Sequence, residues 1–194
     1  MSPATSRPVW LGHGASGGPE TMRAYVQLLR RRGVDAHALR LPRGRAERAM
    51  GALREQVGSA LPEAVIGGHS FGGRVASLVA AQTTPAGLML LSYPLHRPGH
   101  PEELRVEHWG EIRCPVLVLS GDRDQFARAD LLADSVRLLE HAELHVYPGL
   151  RHGLTAIADE VAERIDEFVR RLPRNTQARP TRPRRTRRRP GATA

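Results

Sequence analysis

Short apolar runs alternate along this chain with longer segments in which apolar residues recur every three or four positions. The runs are four to six residues long, rich in Val, Leu and Ile, and bounded by Gly, Pro or charged residues, which is how buried strands read. They predict strands over 8–11, 35–39, 64–67, 87–92, 115–120 and 143–147. The spacing between them predicts helices over 20–32, 45–61, 72–82, 128–140 and 155–171. In the last of these, Ile157, Val161, Ile165, Phe168 and Val169 share one face. Such regular alternation implies βα units around a parallel sheet, an α/β fold.

Composition narrows this picture. A chain of 194 residues suits one domain with a substantial core. Aromatic residues make up only 4%, so that core must be built from aliphatic side chains. The formal charge of +9 is unevenly placed, because eight Arg and no acidic residue fall in 174–194. Setting those eight aside leaves 21 basic against 20 acidic residues, so the body is nearly neutral. Every basic residue is Arg and none is Lys, a coding bias that makes any single surface arginine uninformative. The organisation expected is one domain over 1–173 and a disordered Arg/Pro-rich tail over 174–194, which lacks apolar periodicity. Cys114 is alone, has no disulfide partner in the chain, and opens an apolar run as a small buried hydrophobe would. With no signal-like segment and no run of membrane-spanning length, a cytoplasmic protein without membrane attachment is expected.

Candidate chemistry centres on the predicted third strand, which runs into Gly68-His69-Ser70-Phe71-Gly72 and then into a helix. A glycine-rich chain produces G-x-S-x-G by accident, but an accident has no reason to fall on a strand-to-helix junction. There, a tight turn lifts Ser70 out of the sheet, and the Phe71 amide at the helix start is free to hold an oxyanion. The segment after the first strand, Gly12-His13-Gly14-Ala15-Ser16-Gly17-Gly18, reads as the other half of that hole, with the Ala15 amide as second donor and His13 supporting the loop. A phosphate-cradling loop is the competing interpretation, but G-x-G-x-x-G spacing and a Lys are both missing.

A serine nucleophile needs a general base, and the base needs a carboxylate. Asp122 and Asp124 follow the predicted fifth strand, and His152 follows the sixth, so acid and base stand at strand ends in the order Ser, Asp, His. The other histidines read as surface or packing residues. His69 is expected to point away from the site, His96, His100 and His108 lie in a Pro-rich connection, His37 and His145 fall within strands, and His141 ends a helix.

Three phrases carry a resemblance: Gly67 through Ser77 around the elbow, Leu90-Leu91-Ser92-Tyr93-Pro94-Leu95-His96, and Gly121-Asp122-Arg123-Asp124. In these the chain resembles α/β-hydrolases, is similar to dienelactone-hydrolase-like enzymes, and is nearest to the hydrolases related to testis-expressed Tex proteins. The resemblance covers most of 8–172 and implies an α/β-hydrolase fold with a minimal parallel sheet of about six strands, helices on both faces and no large lid. It implies Ser70, Asp124 and His152 as triad, Asp124 being preferred to Asp122 because the common pattern is strand, Gly, two residues, acid. By the same likeness Ala15 and Phe71 supply the oxyanion amides. Seven residues precede Pro8, where larger hydrolases carry two more strands, and the 95–113 connection is short where many relatives insert a lid, so an open site is expected.

These features imply hydrolysis of an ester or thioester with a small or extended acyl group, with no metal or organic cofactor; peptidase or acyltransferase chemistry uses the same residues. Related chains that sit in protein complexes keep open a non-catalytic scaffold. The arginines of 181–190 suggest a nucleic-acid or acidic partner, although no aromatic residue is interleaved there for base stacking, which favours a solvated tail.

Overall fold

A computed structural model describes residues 7–173. The expected tail over 174–194, with its arginine cluster, lies outside the described residues. Six parallel strands form one sheet in the order β2-β1-β3-β4-β5-β6. They are β1 Val9–Gly12, β2 Ala36–Leu39, β3 Val65–His69, β4 Gly87–Leu91, β5 Val116–Gly121 and β6 Ala142–Tyr147. Each predicted strand is present, shifted by no more than two residues at an end. The chain passes from β1 outward to β2 and returns to pair β3 on the other side of β1. The crevice above the β1/β3 boundary is therefore the topological switch point, where open α/β sheets receive their ligands.

Alternation along the strands makes two cores. Ile66, Leu88, Leu90, Val116 and Val118 face one way and pack with α2 (Ala46–Val57), α3 (Phe71–Gln82) and α4 (Ala129–Val136). Val65, Met89, Leu91, Leu117 and Leu119 face the other way and pack with α1 (Arg23–Arg31) and α5 (Ala158–Arg171). A parallel sheet covered on both faces is what continuous apolar runs require. Four helices are shorter than their predicted spans, the first and last because each opens with a 3-10 segment, Pro19–Met22 and Thr155–Ile157. The second ends at Gly58, whose φ of 58° leaves the helical region, and continues as a 3-10 segment through Pro62. The fourth loosens after Val136 into turns in which the Leu138 and Leu139 amides donate three residues back.

Few aromatics are present, and two of them organise the connection after β4. Tyr93 and Trp109 are fully buried and meet edge to face with ring centroids 5.1 Å apart. Tyr93 donates to the Arg105 carbonyl at 2.6 Å. The connection is thereby fastened down, and its only helical element is the three-residue 3-10 turn Trp109–Glu111. Cys114 is buried just before β5, and burial pushes its thiol up to about 12. No helix among the described residues is long and apolar enough to cross a membrane.

Two glycine substitutions are expected to act in opposite directions. A Cβ on Gly72 would lie 2.2 Å from the Gly12 carbonyl oxygen, backbone against backbone, so Gly72→Ala should cost about 3 kcal/mol or more. Gly51 lies inside α2 with nothing within 4 Å of its Cβ position, so Gly51→Ala should stabilise by about 0.5–1 kcal/mol. Urea unfolding of the two variants beside the wild type checks both signs.

Candidate active site

The turn from β3 into α3 holds Ser70 at φ 51° and ψ −111°, a conformation side chains other than glycine seldom adopt. Its amide donates to the Leu91 carbonyl at 2.8 Å, and its carbonyl accepts the Arg74 amide at 3.0 Å. The backbone is thus tied to β4 behind and to α3 ahead. Gly68, at φ 150°, has its Cβ position 2.1 Å from the Gly12 carbonyl oxygen, so β1 presses directly on the elbow. Ser70 is the N-cap of α3 but its side chain caps nothing. The hydroxyl instead meets His152 Nε2 at 2.8 Å.

His152 reaches Ser70 from the loop after β6, and Asp124 reaches His152 from the loop after β5. Nδ1 of His152 lies 2.9 Å from both carboxylate oxygens of Asp124. With Nδ1–H donating to the carboxylate, Nε2 is left as the acceptor for the Ser70 hydroxyl. The Asp124 side chain is fully buried, and its Oδ1 also accepts the Phe126 amide at 2.8 Å. A buried carboxylate costs much unless hydrogen-bonded, and here its bonds fix the imidazole as well. Phe126 packs on the same imidazole with ring centroids 4.3 Å apart.

Asp122, the other acid of that loop, does different work. Its carboxylate accepts the Gly149 amide at 2.7 Å, while the Asp122 and Arg123 amides donate to Tyr147 and Leu150 at 3.0 and 2.9 Å. The acid-bearing and base-bearing loops are stitched together by these bonds. Gly121 belongs to the same seam, its Cβ position lying 2.1 Å from the Leu150 carbonyl oxygen. His96 braces the acid loop from the other side. Its Nε2 accepts the Arg128 amide at 3.1 Å, its Nδ1–H donates to the Arg97 carbonyl, and its own amide donates to the Phe126 carbonyl at 3.0 Å.

The loop after β1 closes the remaining side. His13 is buried, accepts the Leu41 amide at 3.1 Å on Nε2 and donates from Nδ1 to the Gly14 carbonyl at 2.8 Å. Gly14 abuts the elbow, its Cβ position being 3.0 Å from His69 Nδ1 and 4.0 Å from Ser70 Cβ. Ala15 follows in an exposed turn closed by the Gly17 amide donating to Gly14. Phe71, as the first residue of α3, has an amide with no partner inside the helix.

The expectation that His69 points away from the site is overturned. Its ring stands 5.1 Å from that of His152, and both line a cleft of about 220 Å³ together with Gly14, Ser16, Tyr25 and Thr155. Its Nε2 is buried without a hydrogen-bond partner. Burial, and then the neighbouring His152, push the His69 imidazole down to about 4. His69 is therefore neutral at pH 7. The sole signal in the sequence was its position within the elbow, which does not say which way the side chain turns.

A six-stranded parallel sheet, a strained serine over its switch point, and an aspartate and a histidine on the loops after β5 and β6 define the α/β-hydrolase class of protein. Sequence comparison agrees: the family described as "Alpha/beta hydrolase domain" matches residues 24–171, and the chain belongs to it. Among solved structures it is similar to a monoacylglycerol lipase from Paleococcus ferrophilus, with 15% identity, TM-score 0.72, and coverage of 84% of this chain and 93% of that one. It is also similar to Est1E from Butyrivibrio proteoclasticus bound to ferulic acid, with 18% identity, TM-score 0.70, and coverage of 88% and 91%. A predicted CIB-like hydrolase from Thermoplasma acidophilum matches at 18% identity and TM-score 0.72, over 89% of this chain and 90% of that one.

The depressed His69 has a consequence for stability. Between pH 6.5 and about 4 the unfolded chain binds a proton that the folded site refuses, so stability falls as pH falls through that window. The contribution lost is of the order of 3 kcal/mol. Urea unfolding at pH 7 and pH 4.5 should show a loss in the wild type that is smaller in His69→Gln; equal losses would remove His69 as the cause.

Proposed function

We propose that this protein is a serine hydrolase acting on carboxylic esters or thioesters, with Ser70 as nucleophile, His152 as general base and acid, and Asp124 as the carboxylate that orients His152. One observation carries the proposal: the unbroken hydrogen-bonded run from Ser70 Oγ through His152 to a fully buried Asp124. Three side chains from three strand-end loops have no structural reason to converge in that order of atoms. The named neighbours lend support on substrate class, one being a monoacylglycerol lipase and another holding ferulic acid. The phrase Ser92 to His96, which braces the acid loop through His96, supports the Tex-type likeness within the family. The proposed hydrolase domain is 1–173, of which the structure describes 7–173.

In this mechanism His152 Nε2 takes the Ser70 proton as Oγ bonds to the substrate carbonyl carbon, and the carbonyl pair moves onto oxygen. The amides of Phe71 and Ala15 hold that oxyanion. Collapse breaks the bond to the leaving alcohol or thiol, which departs with the proton from His152. Water then attacks the acyl group on Ser70, giving its proton to His152, and the acid leaves as Ser70 recovers its hydrogen. Asp124 keeps its charge throughout and favours the imidazolium formed in each half.

The test is labelling by a fluorophosphonate probe together with hydrolysis of short p-nitrophenyl esters and acyl-thioesters. Wild-type protein should label and turn over; Ser70→Ala should lose both, His152→Ala should lose turnover, and Asp124→Asn should lower kcat by about 10⁴ with the fold intact by circular dichroism. A folded wild type that neither labels nor hydrolyses any member of the panel would sink the proposal and leave a non-catalytic scaffold.

A further inference from the structure

A second depression, of about 380 Å³, includes Phe71 and is lined by Arg45, Glu47, Arg74 and Arg105. Three guanidinium groups thus face one carboxylate. In a chain whose basic residues are all Arg, exposed arginines mean little, but two of these are partly buried. The Arg74 side chain is 23% exposed and reaches Glu47 at 3.3 Å. Arg105 is half-buried, and its backbone is held on both sides, its amide donating to the Leu95 carbonyl and its own carbonyl accepting from the buried Tyr93 hydroxyl. Its guanidinium makes one long contact, 3.5 Å to the Pro94 carbonyl, and has no salt bridge among the described residues. Burial and the nearby Arg74 both hold the Arg105 guanidinium below its ordinary value.

A desolvated cation beside a second cation is costly unless an anion joins them. The placement tells where such an anion would belong. Arg74 stands four residues beyond Ser70 on the same helix, a rise of about 6 Å. A short chain attached to a carbonyl at Ser70 would pass Phe71 and end between Arg74 and Arg105. A guanidinium fork matches the paired oxygens of a carboxylate or phosphate.

We propose that this cleft is an anion-binding subsite of the hydrolase site, in which Arg74 and Arg105 select esters carrying a carboxylate or phosphate on a short chain. The inference rests on Ser70 being the nucleophile, and it names the substrate class of that same site. Glu47 holds Arg74 in place from the solvent side and leaves Arg105 for the ligand.

The test compares kcat/KM for the p-nitrophenyl monoester of glutarate with that for p-nitrophenyl pentanoate, using full-length protein. Wild type should favour the anionic ester by about tenfold or more, and Arg74→Gln and Arg105→Gln should each lower that ratio by about tenfold, the scale of one charged hydrogen bond. Arg105→Lys should restore part of it, and Arg31→Gln, on the exposed side of α1, should leave the ratio as it is. Binding of glutarate and of inorganic phosphate to the Ser70→Ala protein, followed by NMR, decides the subsite without catalysis. Loss of that binding in Ser70→Ala/Arg105→Gln supports the proposal, and the tighter of the two anions identifies the group. A ratio near one in the wild type, or anion binding unaffected by Arg105→Gln in a protein that unfolds at the wild-type temperature, overturns it. If the wild type neither labels with the fluorophosphonate nor turns over any ester or thioester, but the anions bind in an Arg105-dependent way, the anion site stands and the hydrolase assignment falls.

Discussion

The close approach of β1 to the elbow is the constraint on which the rest of the site depends. The Gly12 carbonyl oxygen occupies the space where a Cβ on either Gly68 or Gly72 would sit, at 2.1 and 2.2 Å. Because β1 and β3 are hydrogen-bonded neighbours with Gly12 opposite Gly68, the strand pairing itself brings the two backbones together. That contact is what allows β3 to turn sharply into α3, and the turn is what holds Ser70 in a backbone conformation unfavourable for a side chain. The strain is supported by the Leu91 carbonyl, a neighbour in the same sheet. A strained residue persists only where its surroundings over-determine it.

Around this fixed serine, Asp124 and His152 are placed by polar bonds between loops. Asp122 and its neighbouring amides bind the loop after β5 to the loop after β6, and His96 holds the far end of the acid loop against the connection after β4. Asp124 and His152 are therefore held near each other before their own hydrogen bond is counted. This is how a buried carboxylate can be tolerated: its hydrogen-bond partners are fixed in advance and do not have to be ordered when the bonds form. The two clefts flanking Ser70 differ in character. One is lined by His69, His152, Tyr25 and Thr155, and the other by Arg45, Arg74, Arg105 and Glu47.

Much of this was legible along the chain, for definite reasons. Strands buried on both faces need continuous apolar runs, and the six runs stand out because polar segments separate them. The elbow was legible because a nucleophile on a strand-to-helix turn requires glycines at fixed offsets, and strand ends are where a parallel sheet gathers its reactive side chains. What could not be read was the direction of individual side chains. His69 looked like a residue turned away from the site, yet its ring lies against His152, because the space beside the elbow is left by Gly14. The Pro-rich connection left open whether His96 is a surface or a packing residue, and it is buried as a brace.

By itself, then, the sequence determined the sheet and the position of Ser70 on its turn, since each follows from local periodicity or from glycine at a required spacing. In the sequence the preference for Asp124 over Asp122 rests on a resemblance alone; its physical basis lies in the tertiary structure, where Asp124 meets His152 and Asp122 accepts the Gly149 amide. Tertiary structure alone brought Arg74 of α3 beside Arg105 of a distant connection. No local pattern records that residues 31 positions apart line one depression, because they do so only once the connection after β4 has packed against α3.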